Sequence, residues 1–195
     1  MTAIVLASSS PRRHELLARL GLTFAIAHPD IDETPRPGED PIDYVSRLAV
    51  EKADAVRAPA DALVIAADTT VEVDGDILGK PEDPAEARAM LRRLSGRSHV
   101  THTAVAARLD GATVHDAITT SVTFVELTDA DIEWYVATGE PLDKAGAYAV
   151  QGAAGAFVER IDGSVSNVVG LPLHLVTRLA AQLGVRLLVP PAELR

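Results

Sequence analysis

Cysteine is absent from the sequence, so disulfides, thiolate metal centres and a cysteine nucleophile are all excluded. Its start, Met1-Thr2-Ala3-Ile4-Val5-Leu6-Ala7-Ser8, lacks the basic head and long apolar stretch of a secretory leader. Asp, Arg, Gly or Pro interrupts each apolar run before it reaches the length of a membrane span. An excess of positive charge is missing too, because the formal net charge is −10. An acidic body repels a nucleic-acid backbone, so neither nucleic acid nor membrane is expected as a partner. The expectation is a soluble, intracellular chain that can handle a small anion if a few cations gather locally.

Familiar catalytic signatures are missing as well. Neither G-x-x-x-x-G-K-[ST] nor G-x-G-x-x-G occurs, which excludes the common phosphate-loop and dinucleotide-binding readings. The G-x-S-x-G elbow of Ser/His/Asp hydrolases does not occur either. The six histidines, His14, His28, His99, His102, His115 and His174, show no metal-ligand spacing and read as structural or exposed. His99 and His102 are three apart on an expected strand and so point to opposite faces.

What is present suits a packed α/β chain. Hydrophobic residues make up 47% of 195, enough for one domain over residues 1–195. Expected strands cover 3–7, 24–27, 63–67, 71–78 (a hairpin turning at Asp74-Gly75), 156–161 and 185–189. A long strand-like stretch over 99–127 breaks at Asp110-Gly111. Helices are expected near 12–20, 41–57, from Asp83 to Gly96, from Thr128 to Gly139, and over 171–183. Ser10 and Pro11 suit the cap and first position of the first helix, and Glu86 is placed for a capping box. The alternation argues for a layered α/β fold whose sheet is not purely parallel.

Three polar segments follow apolar strands, where such folds place ligands. In Ser8-Ser9-Ser10-Pro11-Arg12-Arg13, a strand feeds a helix N-terminus, so backbone N–H groups, hydroxyls and guanidinium forks can cradle a phosphate. A capped helix with two surface arginines is the plainer account. Asp68, after Val64-Ile65-Ala66-Ala67, can hold a divalent cation or accept a proton from water, or simply cap the next turn. Lys80 follows the adjoining hairpin. The third segment, Asp143 to Gly152, carries Lys144 for phosphate and the Gln151 amide for a base edge. Its small residues admit a close backbone approach. Glu33 is a further metal-ligand candidate, and Lys52 lies partly inward on its helix.

Taken together and in order, these pieces resemble the Maf family of nucleotide pyrophosphatases. They are Ala7 to Arg13, Asp32-Glu33, Tyr44-Val45 through Lys52, Ala67-Asp68-Thr69, Lys80-Pro81, Asp143 through Gly152, and Ser166-Asn167-Val168-Val169-Gly170-Leu171-Pro172. The resemblance implies an inosine-triphosphatase-like three-layer fold, a long mixed β-sheet flanked by helices with a deep cleft between two lobes. It implies a cytoplasmic enzyme, often a homodimer, that uses Mg²⁺ or Mn²⁺ to convert a nucleoside triphosphate to the monophosphate and pyrophosphate. Asp68 is then the catalytic carboxylate, and Glu33 joins it as a metal ligand. Ser8, Arg13, Lys52, Lys80 and Lys144 become phosphate contacts, and Arg12, Thr69 and Gln151 govern base choice. A branch resembling 7-methyl-GTP pyrophosphatases tends to carry an aromatic residue where Arg12 stands, which suits a cationic purine. Arg12 and Lys144 therefore look like the dTTP/UTP branch. Thr70 and Ala149 depart from the residues common in the family. The competing class is a nucleotide-binding regulator of cell division, which needs neither Asp68 nor a metal.

Overall fold

The computed structural model describes residues 2–188. Seven strands form one mixed sheet in the order β2-β1-β3-β5-β6-β7, with β4 paired to β3. They are β1 (Ile4–Ala7), β2 (Ala25–Ala27), β3 (Leu63–Val73), β4 (Asp76–Leu78), β5 (Ser98–Leu109), β6 (Ala112–Phe124) and β7 (Val158–Asp162). The helices are α1 (Pro11–Ala18), α2 (Pro41–Ala55), α3 (Pro84–Leu94), α4 (Asp129–Ala137), α5 (Val165–Val169) and α6 (Leu173–Gln182). β1 runs parallel to β2 and β3, whereas β4 is antiparallel to β3 and β7 to β6. The chain clusters into two compact units. One takes the chain up to Asp68, Thr103–Ile118 and the segment from Gly170; the other takes Thr69–His102 and Thr119–Val169.

In the first unit the sheet is buried on both sides, which explains its unbroken apolar strands. Val5, Ala7, Val64 and Ala66 pack against Val45, Ala49 and Ala53 of α2. Leu6, Leu63 and Ile65, pointing the other way, are equally buried. Helix α2 starts where Asp40 accepts a hydrogen bond from Ile42 N–H. Its inward stripe is Val45, Leu48, Ala49, Lys52 and Ala53, the i, i+3, i+4, i+7, i+8 spacing of one helix face. Each fully buried Val or Leu contributes about 1.5–3 kcal/mol. Lys52 thus occupies a core position.

In the second unit Val71 and Val73 of β3 and Val122 and Phe124 of β6 share a core with Ala87, Met90, Leu91 and Leu94 of α3 and Ile132, Tyr135 and Val136 of α4. Asp83 caps α3 by accepting from Ala85 and Glu86 N–H. Glu86 reaches back to Glu82 N–H instead of to the cap residue. Thr128 and Asp131 do form a reciprocal capping box on α4. The tight turns stand as expected, with positive φ at Asp74, Gly75, Asp110 and Gly111.

Three further expectations change, while His99 and His102 hold as structural residues. Strand β3 does not stop at Asp68 but continues through Thr69 to Val73, because a run of β-branched residues stays extended. His99 and His102 are buried; His99 Nε2 meets Tyr148 Oη at 2.8 Å. His102 lies between Glu72 Oε2 at 2.9 Å and Thr119 Oγ1 at 2.8 Å. Residues 185–188 form no strand, since Val185 N–H turns back to Ala180 O at the end of α6; Val189 lies outside the described residues. Helix α5 was not expected. It places fully buried Asn167 so that Nδ2 donates to Thr101 O and Thr120 Oγ1.

Gly146, at φ +67°, would put a Cβ 2.9 Å from the Val71 side chain. Gly146→Ala is expected to cost about 1–3 kcal/mol through overpacking, read as a lowered urea midpoint with an unchanged slope.

Candidate active site

The Ser8–Arg13 turn is locked from several directions. Ser8 is 2% exposed, and its Oγ accepts the Ser10 N–H at 3.1 Å. His14 Nε2 donates to Ser8 O at 2.8 Å, a bond that requires the proton on Nε2 because a carbonyl only accepts. Ser9 Oγ and His28 Nδ1 are 3.0 Å apart. Pro11 takes the first helical position as expected, and Ser10 sits at the cap. The Ser10 side chain makes no capping bond; the hydroxyl that closes the turn belongs to Ser8. Arg13 is half-buried, and its Nε donates to Gly170 O at 2.8 Å. Burial lowers the Arg13 pKa, Asp68 and Glu33 raise it, and Arg12 lowers it. A guanidinium nevertheless stays charged.

Asp68 lies within β3, beyond the last residue paired with β1 (Ala66) and before the first paired with β4 (Val71). It is 5% exposed, as is Lys52. Lys52 Nζ lies 2.6 Å from Asp68 Oδ1 and 2.9 Å from Glu33 Oε1. One ammonium therefore bridges a buried carboxylate and a half-exposed one. Burial pushes the Asp68 pKa above the ordinary carboxylate value, while Lys52 and Arg13 pull it back and Glu33 adds to the rise. The segment carrying Glu33 is fastened to α2: Tyr44 Oη donates to Glu33 O, and Arg47 donates to Thr34 O and Glu39. Arg47 holds the Glu39 carboxyl down at about 2.

The second unit carries the remaining candidates. Thr69 is half-buried and Lys80 exposed. Gly79 O accepts the Gly146 N–H at 3.0 Å, which draws the Lys80 and Lys144 segments together. Lys144 pairs with Asp143, and Gln151 is exposed. Two of the small residues here are required by packing. A Cβ on Gly146 would strike Val71, and one on Gly152 would lie 2.3 Å from Glu140 Oε1. Packing explains these two glycines without any ligand.

The first unit thus brings Arg13, Glu33, Lys52 and Asp68 into mutual electrostatic reach, with Arg12 next to Arg13. His14 holds as a structural histidine, and Gly170 belongs to a matched motif, but its bond to Arg13 was not legible because the two lie 157 residues apart. Among the described residues, no group of three or more His, Asp or Glu side chains is placed to hold a metal. Asp68 Oδ1 and Glu33 Oε1 converge on the Lys52 ammonium, so a cation would use the second oxygen of each carboxylate. Mg²⁺ commonly takes just one or two carboxylates and completes its shell with phosphate and water, so the pair fits as part of a ligand set.

The fold is a mixed α/β sheet flanked by helices, and its site pairs a buried lysine and a half-buried arginine with a buried carboxylate beside a strand-to-helix turn. The chain belongs to the Maf family: the Maf-like protein family profile matches residues 3–183. A dTTP/UTP pyrophosphatase of Anaeromyxobacter dehalogenans is 56% identical over 185 residues, covering 93% of this chain and 94% of that protein. One from Chromobacterium violaceum is 52% identical over 192 residues, covering 95% and 97%. The structure of the Staphylococcus aureus Ham1 protein aligns at a TM-score of 0.51 and 16% identity over 94% of this chain and 98% of that one, a likeness of fold. Among the described residues, no helix is long and apolar enough to cross a membrane.

Lys52→Met keeps the helical stem but leaves Asp68 buried without its nearest cation. The expected loss is about 3 kcal/mol at neutral pH. With its folded pKa raised further above the unfolded value, Asp68 takes up a proton more readily when folded. The deficit should therefore persist above the folded pKa and shrink as pH falls toward the unfolded value. Urea unfolding across pH in chelator-treated buffer reads this; a deficit that grows with acid would contradict it.

Proposed function

We propose that the chain is a nucleoside triphosphate pyrophosphatase that converts dTTP or UTP to the nucleoside monophosphate and pyrophosphate, with residues 1–195 working as one catalytic domain. The observation that carries this reading is the Lys52–Asp68 pair, buried together at 2.6 Å with Arg13 beside it. A chain with net charge −10 gathers a buried lysine and a half-buried arginine around one carboxylate, an arrangement suited to a polyanion undergoing attack by water. Identity above half to dTTP/UTP pyrophosphatases supports the same substrate class.

Asp68 orients the attacking water and accepts its proton. The water oxygen bonds to the α-phosphorus, the bond from that phosphorus to the α,β-bridging oxygen breaks, and pyrophosphate leaves. Lys52 aims Asp68 and favours its ionised form, offsetting part of the rise that burial imposes. Arg12, Arg13 and the Ser8 turn meet the phosphate oxygens, and preorganised charge supplies most of the acceleration. Asp68 and Glu33 would hold a divalent cation, Mg²⁺ or Mn²⁺, which would neutralise phosphate charge and lower the pKa of bound water. Lys80 and Lys144 as phosphate contacts, and Thr69 and Gln151 as base contacts, rest on the family resemblance. A homodimer and a cytoplasmic location rest on it too.

Asp68→Asn is expected to lower pyrophosphate release by at least ~100-fold, the scale of a lost general base, while equilibrium binding of UTP changes only a few-fold. The assay runs dTTP, UTP and CTP with and without Mg²⁺ and identifies the products. Inorganic phosphate in place of pyrophosphate would refute the reaction, and full turnover by Asp68→Asn would remove Asp68 from it.

A further inference from the structure

Gln151 lies in a tight turn whose ends are held by two side chains from elsewhere in the second unit. The turn closes where Gly152 N–H donates to Ala149 O at 3.0 Å, which makes Gln151 one of its two central residues. At the leading end, Ala149 N–H donates to Tyr135 Oη at 3.2 Å. At the trailing end, Ala153 N–H donates to Glu140 Oε2 at 3.2 Å. The two anchors are themselves joined, since Tyr135 Oη donates to Glu140 Oε1 at 2.8 Å. The Glu140 carboxylate also lies flat against the bare Cα of Gly152, where a Cβ would come within 2.3 Å of Oε1 and 2.4 Å of Oε2.

The anchors are rigid. Tyr135 is fully buried on α4, its ring edge-on to Phe157 at 5.4 Å. Gly139, at φ +74°, turns the chain after α4 and brings Glu140 back over Tyr135. Thr138 fixes that turn by donating to Tyr135 O at 2.6 Å and accepting from Glu140 N–H at 3.1 Å. So much polar machinery spent on a short surface turn calls for a cause beyond loop closure.

We infer that Tyr135 and Glu140 act as a clamp that sets the position of Gln151, and so are positioning residues for the choice of nucleobase. The inference rests on the reading above that Gln151 contacts the base. A Gln amide has both donors and an acceptor, so by rotating it can pair with uracil, which presents O4 and N3–H, or with cytosine, which presents an amine and bare N3. Only a fixed frame lets one amide orientation fit one base. The clamp supplies that frame by holding the backbone on both sides of Gln151. Glu140→Gln would loosen it, because its single oxygen can take the Ala153 N–H only if its amide N–H faces the Tyr135 hydroxyl, which must then accept where it now donates.

The test is a mutant cycle on the ratio of kcat/KM for UTP to that for CTP, with Tyr135→Phe, Glu140→Gln, Gln151→Ala and the doubles that add Gln151→Ala. Each single variant is expected to lower the ratio, by about tenfold for the clamp variants, since small misplacements of a substrate-positioning group cost this much or more. In the Gln151→Ala background, Tyr135→Phe and Glu140→Gln should change it by less than about twofold, the non-additivity of residues acting through one group. If Gln151→Ala leaves the ratio untouched, Gln151 does not read the base, and the clamp loses its role with it. If Gln151→Ala lowers the ratio but both clamp variants slow UTP and CTP alike, the clamp is merely structural and the inference fails alone. Should Tyr135→Phe fail to fold, Glu140→Gln, which keeps the buried ring, decides the outcome.

Discussion

A lysine in a hydrophobic core is the constraint on which the rest of this site depends. Lys52 falls on the inward stripe of α2 between Leu48 and Ala53, at 5% exposure. A buried ammonium without a partner would cost several kcal/mol and would shed its proton instead. Asp68 at 2.6 Å and Glu33 at 2.9 Å remove that penalty. The debt is mutual, because Asp68 is as deeply buried as Lys52. An apolar residue at position 52 would pack well but would leave β3 with an uncompensated charge. The pairing is therefore better understood as selected for chemistry than for stability.

Around that pair the architecture is economical. The apolar run of β1 ends at Ala7, and the next residues turn sharply into α1, so Arg12 and Arg13 emerge within a few residues of a buried strand. Gly170 O and Ser8 O tie the turn to Arg13 and His14. Tyr44, at the margin of the core stripe of α2, and Arg47, on its far side, hold the segment that bears Glu33. Every charged group near Asp68 is thus attached to a helix, a strand or a bonded turn, which is how electrostatic preorganisation is achieved without an extensive rigid loop.

Particular elements show how much could be read in advance. Asp74-Gly75 and Asp110-Gly111 announced their turns because the left-handed conformation they need is tolerated by Asp and free for Gly. Thr128 with Asp131, and Pro11, Pro41 and Pro84 at first helical positions, announced where helices begin. Asp68 misled, since a carboxylate after an apolar run looks like the strand's exit, whereas β3 continues through it to Val73. The burial of His99 and His102 was invisible, because it depends on Tyr148, Glu72 and Thr119, far away in the chain. Gly146 and Gly152 stand out in the sequence for lack of bulk, but the neighbours that demand it, Val71 and Glu140, are visible only in the fold.

Composition and residue periodicity alone mark most of the helices and strands, the net negative charge, and the ordered set of motifs that identifies the family. These are local or cumulative properties, set by backbone preference, side-chain period and composition. Only the tertiary structure decided that Lys52 meets Asp68 and Glu33, that Arg13 is tied to Gly170, and that Tyr135 and Glu140 grip the turn bearing Gln151. Each of those pairings depends on distances between side chains carried by different elements, and such distances exist only after packing has excluded the alternatives.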